Sequence, residues 1–348
     1  MDITLNETKQ EVPAAEHRKT KYRFLSAIAG TSAGYAVAFA VNLLVPQIAP
    51  VNFQKYQAGI GQIDANQAYR GFLIAMILWY VLQGVAAHAE AEWYIRKTAF
   101  RFAIGIGLAI WDILGTKLQI LPQPFFPGPA GIAEAFISDG TFIFENMLYS
   151  LRLFGLGFSL GVLLGVSTGI LIGWFPKAYY WIAPVLKITG VIPAVAWMPF
   201  ALTLFPTPLS AAVFLIVICA WFPVASLTAS GIQSTPRAQF DAARTLGGNS
   251  FYLVFHVAIP HAMPQIFTGI STANAFAFTT LVMAEMMGQP GGLGYYINTS
   301  KVWSAYYKVF AAILVMAVLF SLIMWLIEKI QRKVLIWQEG LVKEDGNG

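Results

Sequence analysis

The side chains best placed to do chemistry fall in two stretches of this chain. From Ser234 to Pro264 it reads STPRAQFDAARTLGGNSFYLVFHVAIPHAMP, with Arg237, Asp241 and Arg244 alternating with Ala238, Ala242 and Ala243. Small side chains let another surface approach closely, and charges at the edge can make charge-assisted hydrogen bonds at an interface rim. The pattern therefore suits docking into a groove on another protein; the plain alternative is a solvated helix. Further on, Glu285 is the sole carboxylate in the otherwise uncharged run from Gln265 to Met287. An acid inside a membrane is a functional candidate, and a place near the end of the run equally suits a solvated interfacial group.

Other chemistries find no residues to carry them. No G-x-x-x-x-G-K-[ST] phosphate loop occurs, so ATP hydrolysis by that route must belong to a partner. His256 and His261 stand five apart with no acid on the same face, which argues against a metal site. Cys219, the single cysteine, has no partner for an intrachain disulfide. No cofactor site is expected.

Only a membrane architecture could position such groups in this composition. The chain is 57% hydrophobic and 11% charged, with mean hydropathy +0.63, too little polar surface to solvate a globule of 348 residues. A bilayer crossing needs roughly 20 apolar residues. Eight runs qualify: Phe24 to Val45, Gly71 to Ala89, Phe102 to Leu121, Glu145 to Trp174, Tyr180 to Leu204, Ser210 to Leu227, Pro264 to Met287 and Tyr307 to Ile327. The fold class expected is all-α, a polytopic transmembrane helical bundle. Positive flanks at Arg18, Lys19, Lys21 and Arg23, at Arg96, Lys97 and Arg101, and at Lys329, Arg332 and Lys333 place both termini in the cytoplasm, together with the hairpin from Gly231 to Ala262. The net charge of +5 suits that positive face and gives no sign of a nucleic-acid partner.

Local signals then shape each stretch. Thr235 is expected to cap a helix starting at Pro236, Gly247 and Gly248 to end it, and Asn249 or Ser250 to cap a second short segment that Pro260 stops or kinks. Gly157, Gly161, Gly165, Gly169 and Gly173 recur every fourth residue, a ladder for close helix contact with this subunit or a twin. Because four residues advance about 400°, the ladder drifts about 40° per step and favours a right-handed crossing. Pro193 and Pro199 interrupt the fifth run, freeing backbone groups that only neighbours or a water-lined cavity can satisfy. Pro193 marks a pathway helix, with Trp197 beside it either lining the pathway or packing. Arg152, Asn274, Thr279 and Thr280 are further donors inside predicted crossings.

The residues also resemble a known family. Asp241-Ala242-Ala243, Gly247 and Val257-Ala258-Ile259-Pro260 keep the spacing E-A-A-x3-G-x9-I-x-L-P of the loop found in bacterial ABC-importer permeases, with Asp for Glu, Val for Ile and Ile for Leu. The stretches LPQPFFPGP, SLRLFGLGFSLGVLLG, IPAVAWMPF, ARTLGG and LVMAEMMGQPGGLGYYI are similar to the nitrate, sulfonate and taurine branch. The likeness spans about residues 105 to 335 and implies a type I importer permease fold. It further implies two cytoplasmic ATP-binding subunits, a periplasmic or extracellular solute-binding protein, a homodimer in the bacterial inner membrane and a small anion as substrate. Arg237, Asp241, Ala242, Ala243, Arg244, Gly247 and Pro260 would then couple to the ATPase. On this reading the chain divides into a cytoplasmic tail (1–23), an added transmembrane pair (24–101), the permease domain (102–335) and a second tail (336–348). An ion-coupled secondary transporter should show paired intramembrane carboxylates and inverted repeats, and a membrane-embedded enzyme a cluster of acids; neither pattern is plain here.

Overall fold

A computed structural model describes residues 14–48, 55–58, 61–86 and 91–336 of the chain. The residues 1–13 and 337–348 of the expected tails lie outside it. In hydrocarbon every backbone N–H and C=O must pair within its own segment, so the apolar runs become helices. Among the described residues seven helices are long and apolar enough to cross a membrane, and the expected fifth crossing is a helix pair bent by 101°. By packing, the chain divides into two compact units, Met1–Asp139 with Ser304–Ala311, and Gly140–Trp303 with Ala312–Gly348.

The first unit holds α1 (Ala14–Leu44), a hairpin of β1 (Tyr56–Ala58) and β2 (Gly61–Ile63), α2 (Ala65–Ala86), α3 (Ala91–Asp112) and the start of α4 (Pro129–Trp174). A π-helical turn, Ile113–Lys117, ends the third crossing before the proline cluster. Asp112 and Lys117, at the end of this crossing, are buried at 0% and 4% exposure. Asn42 reconciles them: its amide donates to Asp112 Oδ2 at 2.9 Å, and its backbone oxygen accepts from Lys117 Nζ at 2.7 Å. The Asn42 side-chain oxygen also accepts from Arg70 Nε at 2.7 Å. One neutral residue thus ties charges from α2 and α3 to α1, which is how charges persist in an apolar bundle. Tyr56 anchors the hairpin by donating to Glu134 Oε1 at 3.3 Å; burial, then the Glu134 charge, raise its phenol so that it remains the donor.

Nearer the other end of α3, Arg101 is only 6% exposed, with its guanidinium 4.5 Å from the Tyr94 ring, 4.9 Å from Tyr80 and 5.3 Å from Trp93. An arginine within a crossing costs up to about 2.5–3.5 kcal/mol of insertion, the upper end applying at the bilayer centre and less toward the interface. A cation over a ring recovers about 0.5–2 kcal/mol, so three rings offset much of that cost.

The second unit carries the rest of α4, then α5 (Pro176–Val191), a 3-10 turn (Ala194–Trp197), α6 (Met198–Leu204), α7 (Pro208–Gln233), α8 (Arg237–Thr245), α9 (Ser250–Tyr252), α10 (Ile259–Met286), α11 (Leu293–Val302) and most of α12 (Tyr306–Val334). The glycine ladder finds its partner inside the chain. A Cβ placed on Gly157, Gly161, Gly165 or Gly173 would fall 2.6–2.9 Å from the Cβ atoms of Ile216, Ala220, Val224 and Ile232, and one on Gly169 would collide with Thr228. The offset is 59 residues at every rung, so α4 and α7 run parallel and in register, four-residue row against four-residue row. On its other side α7 packs antiparallel to α10, Gly231 against Ala262 and Gly269 against the Pro223 carbonyl. Leu215, Ile216, Ala220, Val224, Ala273, Ala277 and Leu281 form the core between these helices.

The interruption expected in the fifth run, Tyr180 to Leu204, is present at Pro193, where helix ends at Ile192 and the chain turns; Pro199 makes no break and sits in the first turn of α6. Two other expectations are corrected. Thr235 does not cap α8, whose N-cap is Pro236; the Thr235 hydroxyl instead donates to the Gly231 carbonyl at 3.5 Å. Pro260 does not stop a second short helix. A π-helical segment, Leu253–Ala258, precedes it, Pro260 sits in the first turn of α10, and helix continues from Ser250 to Met286. The wider turn accommodates a residue with no N–H to give.

Candidate functional site

The polar hairpin is built by its caps. The chain leaves α8 through Leu246 into Gly247 at φ +85°, where the Gly247 N–H donates to the Arg244 carbonyl and the Gly248 N–H to the Ala243 carbonyl, both at 2.9 Å. This paired closure needs a left-handed residue, which glycine supplies without a Cβ penalty. Asn249 then starts the next segment, its Oδ1 accepting from the Tyr252 N–H at 2.8 Å. One face of α8 is anchored, with Phe240 edge-on to Trp174 at 5.7 Å beside the cluster of Ile232, Ala258, Ala262 and Ile266. The opposite face is bare. Arg237, Ala238, Asp241, Ala242, Arg244 and Gly247 are exposed, Ala243 is half-buried, and Leu246 is 90% exposed. Asp241 and Arg244 pair at 3.4 Å, both open to solvent, so that pair stabilises the helix little and stays available to a partner. Pro260 lies behind this surface, at the start of α10.

The second site is the break in the fifth crossing. A cavity of about 500 Å³ opens there against α7 and α10, lined by Thr189, Gly190, Pro193, Cys219, Thr279 and Thr280 among others. Phe222 and Phe276 complete its wall, and no charged side chain reaches it. The hydroxyls are tied to their own helices: Thr189 to Leu186 at 2.9 Å, Thr279 to Ala275 at 3.1 Å and Thr280 to Phe276 at 2.9 Å. Thr280 Oγ1 also lies 3.1 Å from Cys219 Sγ. The cavity thus offers neutral dipoles on an otherwise apolar wall.

Glu285 does something the sequence did not suggest. It is 1% exposed, and its Oε2 accepts from the Gly294 N–H at 2.8 Å. The preceding N–H groups, of Gly292 and Leu293, donate to Asn146 Oδ1 at 2.9 Å and to Ser150 Oγ at 2.8 Å. Three successive donors at the start of α11 are therefore capped by side chains of α4 and α10, with the acid at the positive end of the helix dipole. Gly292, at φ +108°, sits so close that a Cβ there would run into the Glu285 carboxyl. Beside this latch a second cavity, about 700 Å³, is lined by Tyr149, Thr207, Glu285, Gln289 and Asn298 among others. Tyr149 donates to Gln289 Oε1 at 2.9 Å, and Gln289 donates to the Pro208 carbonyl at 2.5 Å.

The remaining candidates scatter. Pro193, Thr279 and Thr280 meet at the first cavity, and Glu285 borders the second. Trp197 packs on the core and faces Phe200 edge-on at 6.2 Å. Asn274 is fully buried with both amide atoms unpartnered, and Arg152 is exposed on α4. Asn146, Ser150 and Thr189, and the place of Cys219 in the cavity wall, are not visible in the sequence because isolated polar residues in apolar runs have no local pattern; the glycine-rich turn after Glu285 was the one signal that the latch left.

A polytopic helical bundle with a polar hairpin, a broken crossing and no nucleotide-hydrolysing motif defines a membrane permease subunit. Residues 161–336 match the family described as binding-protein-dependent transport system inner membrane component, and the chain belongs to that family, the permeases of ABC importers. It is similar to a putative aliphatic sulfonates transport permease protein of Bacillus subtilis strain 168, 32% identical, covering 66% of this chain and 84% of that one. A taurine transport system permease protein of Escherichia coli strain K12 is 26% identical, covering 67% and 87%. A nitrate import permease protein of Synechococcus elongatus is 30% identical, covering 58% and 74%. The chain is thus a multi-pass inner-membrane subunit that is no enzyme itself; ATP hydrolysis resides in separate subunits, and the family implies a solute-binding protein as partner.

Proposed function

We propose that this permease passes a small anion, such as nitrate, a sulfonate or taurine, through the break in its fifth crossing. The cavity at Pro193 carries the reading: it opens within the broken fifth crossing, where backbone leaves helix geometry, as happens inside a membrane only where protein or a water-lined space satisfies the freed groups. Its wall offers weak neutral dipoles, and conduction requires binding weak enough to let the anion leave. The three permeases above supply the substrate class by likeness. Two copies form the pathway, Arg152 standing on a surface that a single copy leaves open. Both termini and the hairpin at Gly231 to Ala262 face the cytoplasm, where Arg237, Asp241, Ala242, Ala243, Arg244 and Gly247 meet the ATPase. The crossings of residues 24–101 are an addition to the permease domain of 102–335.

The test is uptake in proteoliposomes holding the permease, its ATP-binding subunits and its binding protein, with nitrate, taurine and an alkylsulfonate offered in turn. Thr279→Trp puts a bulky ring on the cavity wall and should sharply reduce uptake of whichever anion the wild type carries, while ATP hydrolysis still responds to the binding protein. Normal uptake by Thr279→Trp would overturn the pathway reading.

A further inference from the structure

The cation cage of the first unit has a feature that helix packing leaves unused. Trp93, Lys97 and Arg101 recur at every fourth position of α3 and so share one face. Lys97 Nζ lies 4.5 Å and the Arg101 guanidinium 5.3 Å from the centroid of the same Trp93 ring. Two like charges are thereby held on one aromatic side chain, and neither makes an ion pair among the described residues. Arg101 is 6% exposed, yet its buried Nη1 has no hydrogen-bond partner among the described residues. A ring face satisfies the charge of a guanidinium without accepting its N–H groups with the directionality of an oxygen. Lys97 and Trp93 are exposed, so the face opens outward at its Lys97 end, and the exposed Arg96 adds a third cation beside it.

We propose that this face binds the phosphate of an anionic phospholipid, Arg101 serving as the buried fork and Lys97 as the outer point charge. The chemistry selects phosphate: a guanidinium presents parallel donors that match two phosphate oxygens, and an ammonium adds an undirected charge. The place selects a lipid over free phosphate. The cage belongs to a helix that crosses the bilayer, Trp93 has the amphipathic ring that settles at headgroup depth, and Arg96 with Lys97 forms the positive flank of the crossing. Basic sites between transmembrane helices at that depth suit lipid headgroups. The added crossings would then hold a lipid of the positively flanked leaflet, a role independent of the translocation pathway.

The intact protein, stripped of lipid in detergent, is titrated with phosphatidylglycerol and with phosphatidylcholine of the same acyl chains, and bound lipid is counted by native mass spectrometry. Phosphatidylglycerol should bind in preference, and Lys97→Gln, an exposed change that leaves the fold intact, should weaken it about fivefold. Arg101→Lys, which keeps the charge and loses the fork, should weaken it too. Equal binding of the two lipids, or unchanged phosphatidylglycerol binding in Lys97→Gln, would overturn the site. Displacement of phosphatidylglycerol by millimolar inorganic phosphate would overturn the lipid assignment in favour of a phosphate site.

Discussion

Gly247 acts through its backbone and Glu285 through its carboxyl, so substitution at the first should touch function and at the second stability. At Gly247, φ +85° strains any L-residue, by roughly 1 kcal/mol or more, while a Cβ would meet nothing within 4 Å inside the chain. Gly247→Asp and Asp241→Lys should therefore leave membrane abundance near wild type. Both place a new charge on the face proposed to meet the ATPase, so transport in proteoliposomes should fall far more than abundance. Normal transport rates in both would make the hairpin a solvated loop. Glu285 should behave in the opposite way. Glu285→Ala leaves the Gly294 N–H buried without an acceptor, a loss of about 1–3 kcal/mol, and the melting temperature of the purified protein should drop. Glu285→Gln keeps an oxygen for that N–H and should recover most of the loss; equal melting of the two variants would show that the capping bond contributes nothing.

At the scale of elements, the α4–α7 pair is the part that small residues decide. Every rung of the ladder brings a glycine against a β-substituted residue at less than a normal Cβ contact, so no rung accepts even a methyl group without movement. Gly165→Leu should push the two helices apart by more than one rung can absorb. Little folded protein should then survive detergent extraction, as read by size-exclusion profile. Gly155, where a Cβ would meet nothing within 4 Å, is the control: Gly155→Ala should elute as wild type. The ladder was legible as a packing surface from spacing alone, because four-residue periodicity on a helix is local. Its partner was not, because Ile216, Ala220, Val224, Thr228 and Ile232 carry no pattern of their own until the parallel register sets each against its glycine.

For the whole molecule, the arrangement proposed across the bilayer makes a direct prediction. With both termini inside, the hairpin at Gln62 and the one at Gln239 fall on opposite sides. Single cysteines placed there, in a background where Cys219 is replaced by Ser, should differ: an impermeant thiol reagent added to spheroplasts should label position 62 and miss position 239. Strong labelling at 239 would reverse the topology. Sequence alone determined that the chain is a multi-crossing helical membrane protein, roughly where the crossings fall, and that Gly247 ends α8, because hydropathy, charge flanks and turn chemistry act within a few residues. It also carried the family, through spacing in the hairpin. Only the tertiary structure decided that the fifth crossing bends by 101° around a cavity, that Glu285 caps α11 together with Asn146 and Ser150, and that Asn42 binds Asp112 and Lys117. Those contacts join residues up to 146 positions apart, and a polar side chain buried in an apolar helix shows its partner only when the helices are packed.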